Sequence, residues 1–168
     1  MAVNTDKNSY TILFAVAMVL VVGSLLAFTA SSLKPAITEN KRMEKQQNIL
    51  YAMGINANEG SGDINFISTD KVAEAFTNNV LEQIVLEVKD GNVLKEFSRD
   101  EFMNSKAQGA GKEPYLIDVK KEQTKAKNGE SRFLPLFKGS QNGKTVYVAA
   151  VIGKGLWDAI WGYIALDE

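Results

Sequence analysis

Ile12-Leu13-Phe14-Ala15-Val16-Ala17-Met18-Val19-Leu20-Val21-Val22 is a wholly apolar stretch at the centre of a longer uncharged one, Asn8 to Leu33, 26 positions in all. A bilayer core of roughly 30 Å needs about 20 helical residues, so this stretch is long enough to span it with some tilt. The reading divides the chain into a short tail at 1–9, a transmembrane helix at 10–33 in contact with the lipid bilayer, and everything that must fold beyond. Gly23, Ser24, Ala27 and Ala30 put small residues at three- and four-residue spacing. That stripe lets another helix approach closely, and it is also ordinary membrane-helix composition. A cleaved signal peptide is the rival, with Ala30-Ser31-Ser32 as a small-residue cleavage site. Signal cores are about 7–15 residues long behind a basic region. Here the run is longer, and only Lys7 precedes it, beside Asp6. A retained anchor fits better.

Orientation has a weaker signal. Lys34, Lys41, Arg42 and Lys45 follow the span against Glu39 and Glu44. By the positive-inside rule they favour a cytoplasmic C-terminal domain. Those charges can equally be held by contacts of the helix that carries them.

The 168 residues hold 19 basic and 20 acidic side chains, no histidine and no cysteine. The net charge of −1 argues against nucleic acid as the main partner, because phosphate binding needs a clustered basic surface. Without histidine there is no imidazole base or histidine-ligated metal. Without cysteine there is no thiolate nucleophile, disulfide or iron–sulfur cluster. Chemistry is left to carboxylates, lysines, hydroxyls or a borrowed cofactor.

Beyond the span, Pro35 suits the first turn of a new helix. Residues 34–55 read as a juxtamembrane helix, with Ile49, Leu50 and Met53 at i, i+3/i+4 spacing and Gly54 as the stop. A polar linker follows at 56–63. Thr69 is placed to cap a short helix running through Phe76. Strands then dominate. Gln83–Lys89 and Val93–Leu94 flank Asp90-Gly91, and Phe133–Lys138 and Thr145–Ile152 flank Asn142-Gly143. Both dipeptides are strong hairpin signals. Residues 104–114 read as an excursion, and Gly162–Leu166 as a last strand. Residues 56–168 are thus expected to form an α+β domain with a mostly antiparallel sheet.

Gly143-Lys144-Thr145 ends like a phosphate-binding loop. Lys138 stands where that pattern needs its first glycine, and a hairpin turn precedes a strand where a helix is required. More informative is Gly153-Lys154-Gly155-Leu156-Trp157, which follows the apolar strand Val148–Ile152. Its glycines permit positive φ and close backbone approach, with Lys154 between them. Trp157 and Trp161 are the chain's two tryptophans. A tight turn with two aromatics closing a core is the plain alternative.

The arrangement resembles the C-type subunit of the sodium-translocating NADH:quinone reductase, and more distantly the G-type subunit of the Rnf electron-transport complex. The likeness rests on the short N-terminus, the span, and above all Ile152-Gly153-Lys154-Gly155-Leu156-Trp157 followed by Trp161-Gly162-Tyr163-Ile164-Ala165-Leu166. It covers the chain but is thin between about 54 and 130. What the resemblance implies is a subunit of a bacterial inner-membrane translocase that passes electrons from NADH to ubiquinone and pumps sodium. Its domain would lie on the periplasmic side, against other membrane subunits, and carry covalent FMN. Gly153 and Gly155 would then allow close approach to the cofactor, Leu156 and Trp157 would wall its ring, and Lys154 would face a reduced flavin or its phosphate.

One feature departs from the family. The flavin is attached there through a phosphoester to threonine in a Ser/Asp-Gly-Ala-Thr motif, and the threonines at 5, 11, 29, 38, 69, 77, 124 and 145 lie in no such context. Together with a chain ending just after a core-like strand, this suggests an N-terminal piece of a longer protein, its attachment threonine beyond Glu168 and its domain cut short. Such a piece alone would hold no covalent flavin and would be inactive. It would leave Trp157, Trp161, Tyr163 and Leu166 bordering an unfilled groove. A tethered assembly or sensor module without its own cofactor is the alternative. The anchor reading predicts that the chain stays in the membrane pellet after carbonate extraction. Release of a species starting near Ser32 or Leu33 would establish a cleaved signal instead.

Overall fold

The computed structural model describes residues 8–58, 64–105, 112–141 and 143–167. Residues 1–7 of the tail expected at 1–9, most of the 56–63 linker, the centre of the 104–114 excursion and Asn142 lie outside the described residues. Two compact units divide between Asn40 and Lys41.

The first unit lies within α1, which runs from Asn8 to Ala52 as one helix. Its apolar part is long and apolar enough to cross a membrane, and none of it is buried. Such exposure of Leu13, Phe14, Val19 and Phe28 suits a lipid solvent rather than water. The helix passes through Pro35 without a break, so the span expected at 10–33 and the juxtamembrane helix expected at 34–55 are one element. Inside a helix a proline removes one N–H donor and its ring crowds the carbonyl four residues back, and α1 continues past it nonetheless.

The second unit begins within α1. Ile49, Leu50 and Met53 are fully buried, and Gly54 ends the helix at φ 75°. The Gly54 N–H donates to the Tyr51 carbonyl and the Ile55 N–H to the Leu50 carbonyl, both at 2.9 Å. This is the six-to-one closure that a left-handed glycine permits, at the glycine the sequence marked.

The sheet has five antiparallel strands: β1 (Val80–Lys89), β2 (Asn92–Ser98), β3 (Arg132–Gln141), β4 (Lys144–Lys154) and β5 (Ala159–Asp167). Their order is β2-β1-β3-β4-β5. Asp90 and Gly91 both take positive φ, 50° and 81°, as a two-residue hairpin turn requires. Leu136 pairs with Ala149 and Gln141 with Lys144, so the second hairpin joins the strands expected, with Gly143 at φ 79°. The α+β architecture is as the sequence implied.

The helices differ more. Helix α2 is Val72–Asn79 and has no side-chain cap. Thr69 is not its cap, because the Lys71 N–H donates to the Ser68 carbonyl and places Thr69 and Asp70 inside a turn. Two helices had no expectation. In α3 (Arg99–Asn104), Ser98 and Glu101 form a reciprocal capping box. In α4 (Val119–Lys127), the Asp118 carboxylate accepts from the Lys121 N–H.

Burial alternates along β3: Phe133, Pro135, Phe137 and Gly139 are buried, while Leu134, Leu136 and Lys138 are half-buried. The buried side meets two clusters. Ile49, Leu50, Met53, Val72, Phe76, Phe137 and Val148 form the larger, and Val85, Phe97, Phe102, Ile117 and Phe133 the smaller. Gly139 is required where it stands, since a Cβ there would lie 2.5 Å from the Asn79 carbonyl oxygen. Phe137 is fully buried between Phe76 and Tyr163. Phe137→Ala is expected to cost about 3–5 kcal/mol, measured as a lowered urea midpoint with the denaturant slope unchanged.

Candidate functional site

The site begins with a proline in a central strand. The β1–β3 ladder runs through Val85↔Pro135 to Val88↔Arg132. The β3–β4 ladder reaches Leu136↔Ala149 and stops. Pro135 has no N–H to donate, and the uninterrupted β1 ladder puts the missing donor on the β4 side. Beyond that point Ala150–Lys154 pair with β5 alone. The end of β4–β5 is therefore a two-stranded ribbon with a groove along it.

Lys45 from α1, Asp118, Val119 and Lys120 from the start of α4, and Ala150, Ile152, Asp158, Trp161 and Tyr163 of the ribbon line this groove, of about 240 Å³. The Lys45 ammonium sits 5.0 Å from the centre of the Trp161 ring, within reach of its negative face. Burial lowers the Lys45 pKa, opposed by the negative charges of Asp118 and Glu44. Burial also pushes the Tyr163 hydroxyl well above its ordinary value, helped by Glu44. At the rim, Asp158 accepts from the Ala159 N–H at 2.7 Å and from Lys120 Nζ at 3.3 Å. Those two donors hold its carboxyl below the usual range, the backbone N–H foremost. The groove offers one desolvated cation beside an indole and a phenol, a combination suited to a flat, electron-rich or anionic ring.

The five residues singled out from sequence do not converge here. Gly153 and Lys154 line an adjoining depression with Lys120, Gln123, Thr124 and Lys127. Gly155 forms the turn, its N–H donating to the Asp158 carbonyl at 2.9 Å. Neither Gly153 nor Gly155 adopts the positive φ that the sequence allowed. Gly155 is needed for space instead, because a Cβ there would lie 2.5 Å from that carbonyl oxygen. Leu156 and Trp157 stand in solvent at 92% and 95% exposure. They wall no cavity among the described residues, since a four-residue turn aims its two central side chains outward. Trp161 and Leu166 are exposed as well, and Tyr163 is half-buried against the core. Of the four residues expected to border a groove, Trp161 and Tyr163 line this one, and the residues that sequence reasoning missed are Lys45 and Asp118. Trp161 and Tyr163 belong to the aromatic-glycine-aromatic block that carried the resemblance. Lys45 had no signal beyond its place one turn before Ile49.

An apolar helix of spanning length followed by a one-sided antiparallel sheet defines the class: an α+β domain on a candidate membrane anchor. Within that class the chain is similar to the C-type subunit of the Na(+)-translocating NADH-quinone reductase. The subunit of Haemophilus ducreyi is 26% identical over 168 residues, 98% of this chain and 59% of that protein. That of Pseudomonas aeruginosa is 26% identical over 166 residues, 97% of this chain and 59% of that protein. That of Neisseria meningitidis is 27% identical over 176 residues, 99% and 61%. The crystal structure of the same subunit from Parabacteroides distasonis superposes with a TM-score of 0.52 at 22% identity, covering 80% of this chain and 51% of that one, a likeness of fold. No protein-family model matches the chain. The chain spans about 59% of the length of the first of these relatives.

Lys45 gives a pH test. Its folded pKa lies below its unfolded value of 10.5, so the folded state sheds this proton at lower pH than the unfolded state does. Stability attributable to Lys45 therefore rises with pH from the folded pKa toward 10.5. Tyr163, with its raised pKa, works oppositely above about pH 10. The difference in unfolding free energy between wild type and Lys45→Met should accordingly shift in favour of wild type as pH rises toward 10, in urea titrations at fixed salt.

Proposed function

We propose that this chain acts as the C-type subunit of a sodium-pumping NADH:quinone oxidoreductase, a bacterial inner-membrane flavoprotein anchored through α1. The observation that carries the reading is similarity along 98% of the chain to relatives named for that one role. In this reading other subunits of the complex are the partners, and the periplasm is the side of the domain. Two of the basic residues that favoured the opposite side are engaged within the domain. Arg42 hydrogen-bonds Tyr115, and Lys45 lies over Trp161.

The cofactor proposed is FMN, covalently held as in the family that the sequence resembles. The groove fits it in chemistry and only in part in size. Trp161 and Tyr163 offer aromatic surface and Lys45 a cation, while about 240 Å³ is less than the roughly 300–1,000 Å³ that encloses a small ligand. Gly153, with nothing within 4 Å of where a Cβ would stand, lets a ligand lie against the backbone. The flavin, when bound, supplies the redox chemistry. Lys45 would favour negative charge on a neighbouring ring, and Trp161 would exclude water from one side of it.

The test is purification of the tagged natural protein from membranes. Expected are a flavin-fluorescent band at its mass after denaturing electrophoresis, and co-purifying sodium-stimulated NADH:quinone reductase activity. A non-fluorescent band without that activity would favour a tethered assembly or sensor module.

A further inference from the structure

Pro135 ends the β3–β4 ladder, and a second backbone group is left without a strand partner by the same break. N–H groups two residues apart in a strand point to the same side, so the Phe133 N–H faces the β4 side, where pairing begins only at Leu136. A helix takes the place of the missing strand. The Phe133 N–H donates to Glu122 Oε2 of α4 at 2.8 Å, out of reach of solvent. The other carboxylate oxygen accepts from Lys125 Nζ at 2.6 Å, and that ammonium lies 5.7 Å from the centre of the Phe133 ring. Next to this contact, Arg132 donates to the Gln123 side chain. Among the described residues Glu122 is the only buried one that carries a charge. It is also the only buried residue of α4. Burying a carboxylate is costly unless its oxygens are satisfied, and here both are.

We propose that Glu122 is a positioning residue of the groove: by holding α4 against the edge of β3 that β4 does not reach, it fixes the Asp118 carboxylate in the groove with the Lys45 ammonium. The path is one helical turn long. Asp118 caps α4, its carboxylate accepting from the Lys121 N–H at 3.2 Å, and its carbonyl accepts from the Glu122 N–H at 3.0 Å. Pin and groove wall are thus joined by helical hydrogen bonds. The wall's other tie, Lys120 to Asp158 at 3.3 Å, joins side chains 66% and 82% exposed, a class of ion pair that contributes little. Around Lys45 stand Glu44 of its own helix, Asp118 and Lys120 of the α4 end, and Asp158, Trp161 and Tyr163 of the ribbon. Of the carboxylates acting on Lys45, Asp118 acts most strongly. A purely structural role would be open to an apolar side chain, since a buried ionic group is often replaced by one at no loss of stability. An apolar side chain cannot accept the Phe133 N–H. The inference rests on the groove as the site, and not on flavin as its ligand.

The test measures the coupling between Asp118 and Lys45 in the full chain, held in detergent micelles with its lysines labelled by reductive 13C-dimethylation. The Lys45 signal is assigned by its loss in Lys45→Arg, and its titration midpoint is read by NMR. Asp118→Asn keeps a good helix cap and removes the charge. It should lower the Lys45 midpoint in the wild-type background, because a neighbouring negative charge favours the ammonium. In Glu122→Gln, whose amide oxygen still accepts the Phe133 N–H, Asp118→Asn should lower the midpoint as it does in wild type. In Glu122→Met, of similar length and without an acceptor, most of that shift should be lost while the circular dichroism is unchanged. Equal shifts in all three backgrounds would overturn the proposal and leave Glu122 a structural residue. The wild type supplies a second measurement that needs no variant to fold: the Phe133 amide should exchange slowly with deuterium. Exchange as fast as in an unstructured peptide would also overturn the pin. Either failure leaves the flavin reading standing, since that reading is decided by the fluorescent band.

Discussion

The second unit depends on the burial of the last turns of α1. Its sheet presents Phe137 and Val148 on one side, and these residues meet Ile49, Leu50 and Met53, all fully buried. A one-sided sheet needs such a cover, and here it comes from the helix that also holds the apolar run. The Gly54 closure fixes where the helix stops, and hence where the chain turns toward α2. Removing the cover would leave the larger cluster open to water. The helix end is thus an interior part of the domain and continuous with the apolar run.

The same helix end sets the site's electrostatics. Lys45 precedes Ile49 by about one turn, so packing of Ile49 against the sheet brings the ammonium beneath Trp161. An ammonium on the surface would be fully hydrated. Held there, it loses part of its water and recovers some of that cost from the indole face and from Asp118 and Glu44. A cation so placed cannot swing away as a free lysine does, and any ring entering the groove meets it at a fixed position.

The sequence showed the sheet more clearly than the helices. Strand alternation and Asp-Gly encode local geometry, and both pairs of strands are where those signals put them. Helix α3 was legible in principle from Ser98-x-x-Glu101. Helix α4 was not, because it presents lysines and a glutamine in place of an apolar stripe, and it is held by an aspartate cap and the burial of Glu122. Thr69 misled because a turn satisfied the backbone locally before the helix began. At the site, Gly153-Lys154-Gly155-Leu156-Trp157 forms the end of β4 and the turn beside the groove. Its glycines serve space and flatness, and its two apolar residues face out. Lys45 lies more than a hundred residues from Trp161 in the chain, and no local pattern encodes a contact of that kind.

Pro135 links these observations. In a sheet of full width, the end of β4 would be flanked on both sides and its backbone groups satisfied by β3 and β5. A proline at the β3 position facing it ends that ladder, and the ribbon emerges with one edge unpaired. An unpaired edge is a hazard that proteins blunt with charge or cover. Lys154 stands on that edge, and the first turn of α4 packs beside it with Lys120. The groove, the exposed turn and the neighbouring lysines are therefore not separate features. The groove and the turn follow from one missing N–H in the central strand, which frees the end of the β4–β5 hairpin from the rest of the sheet.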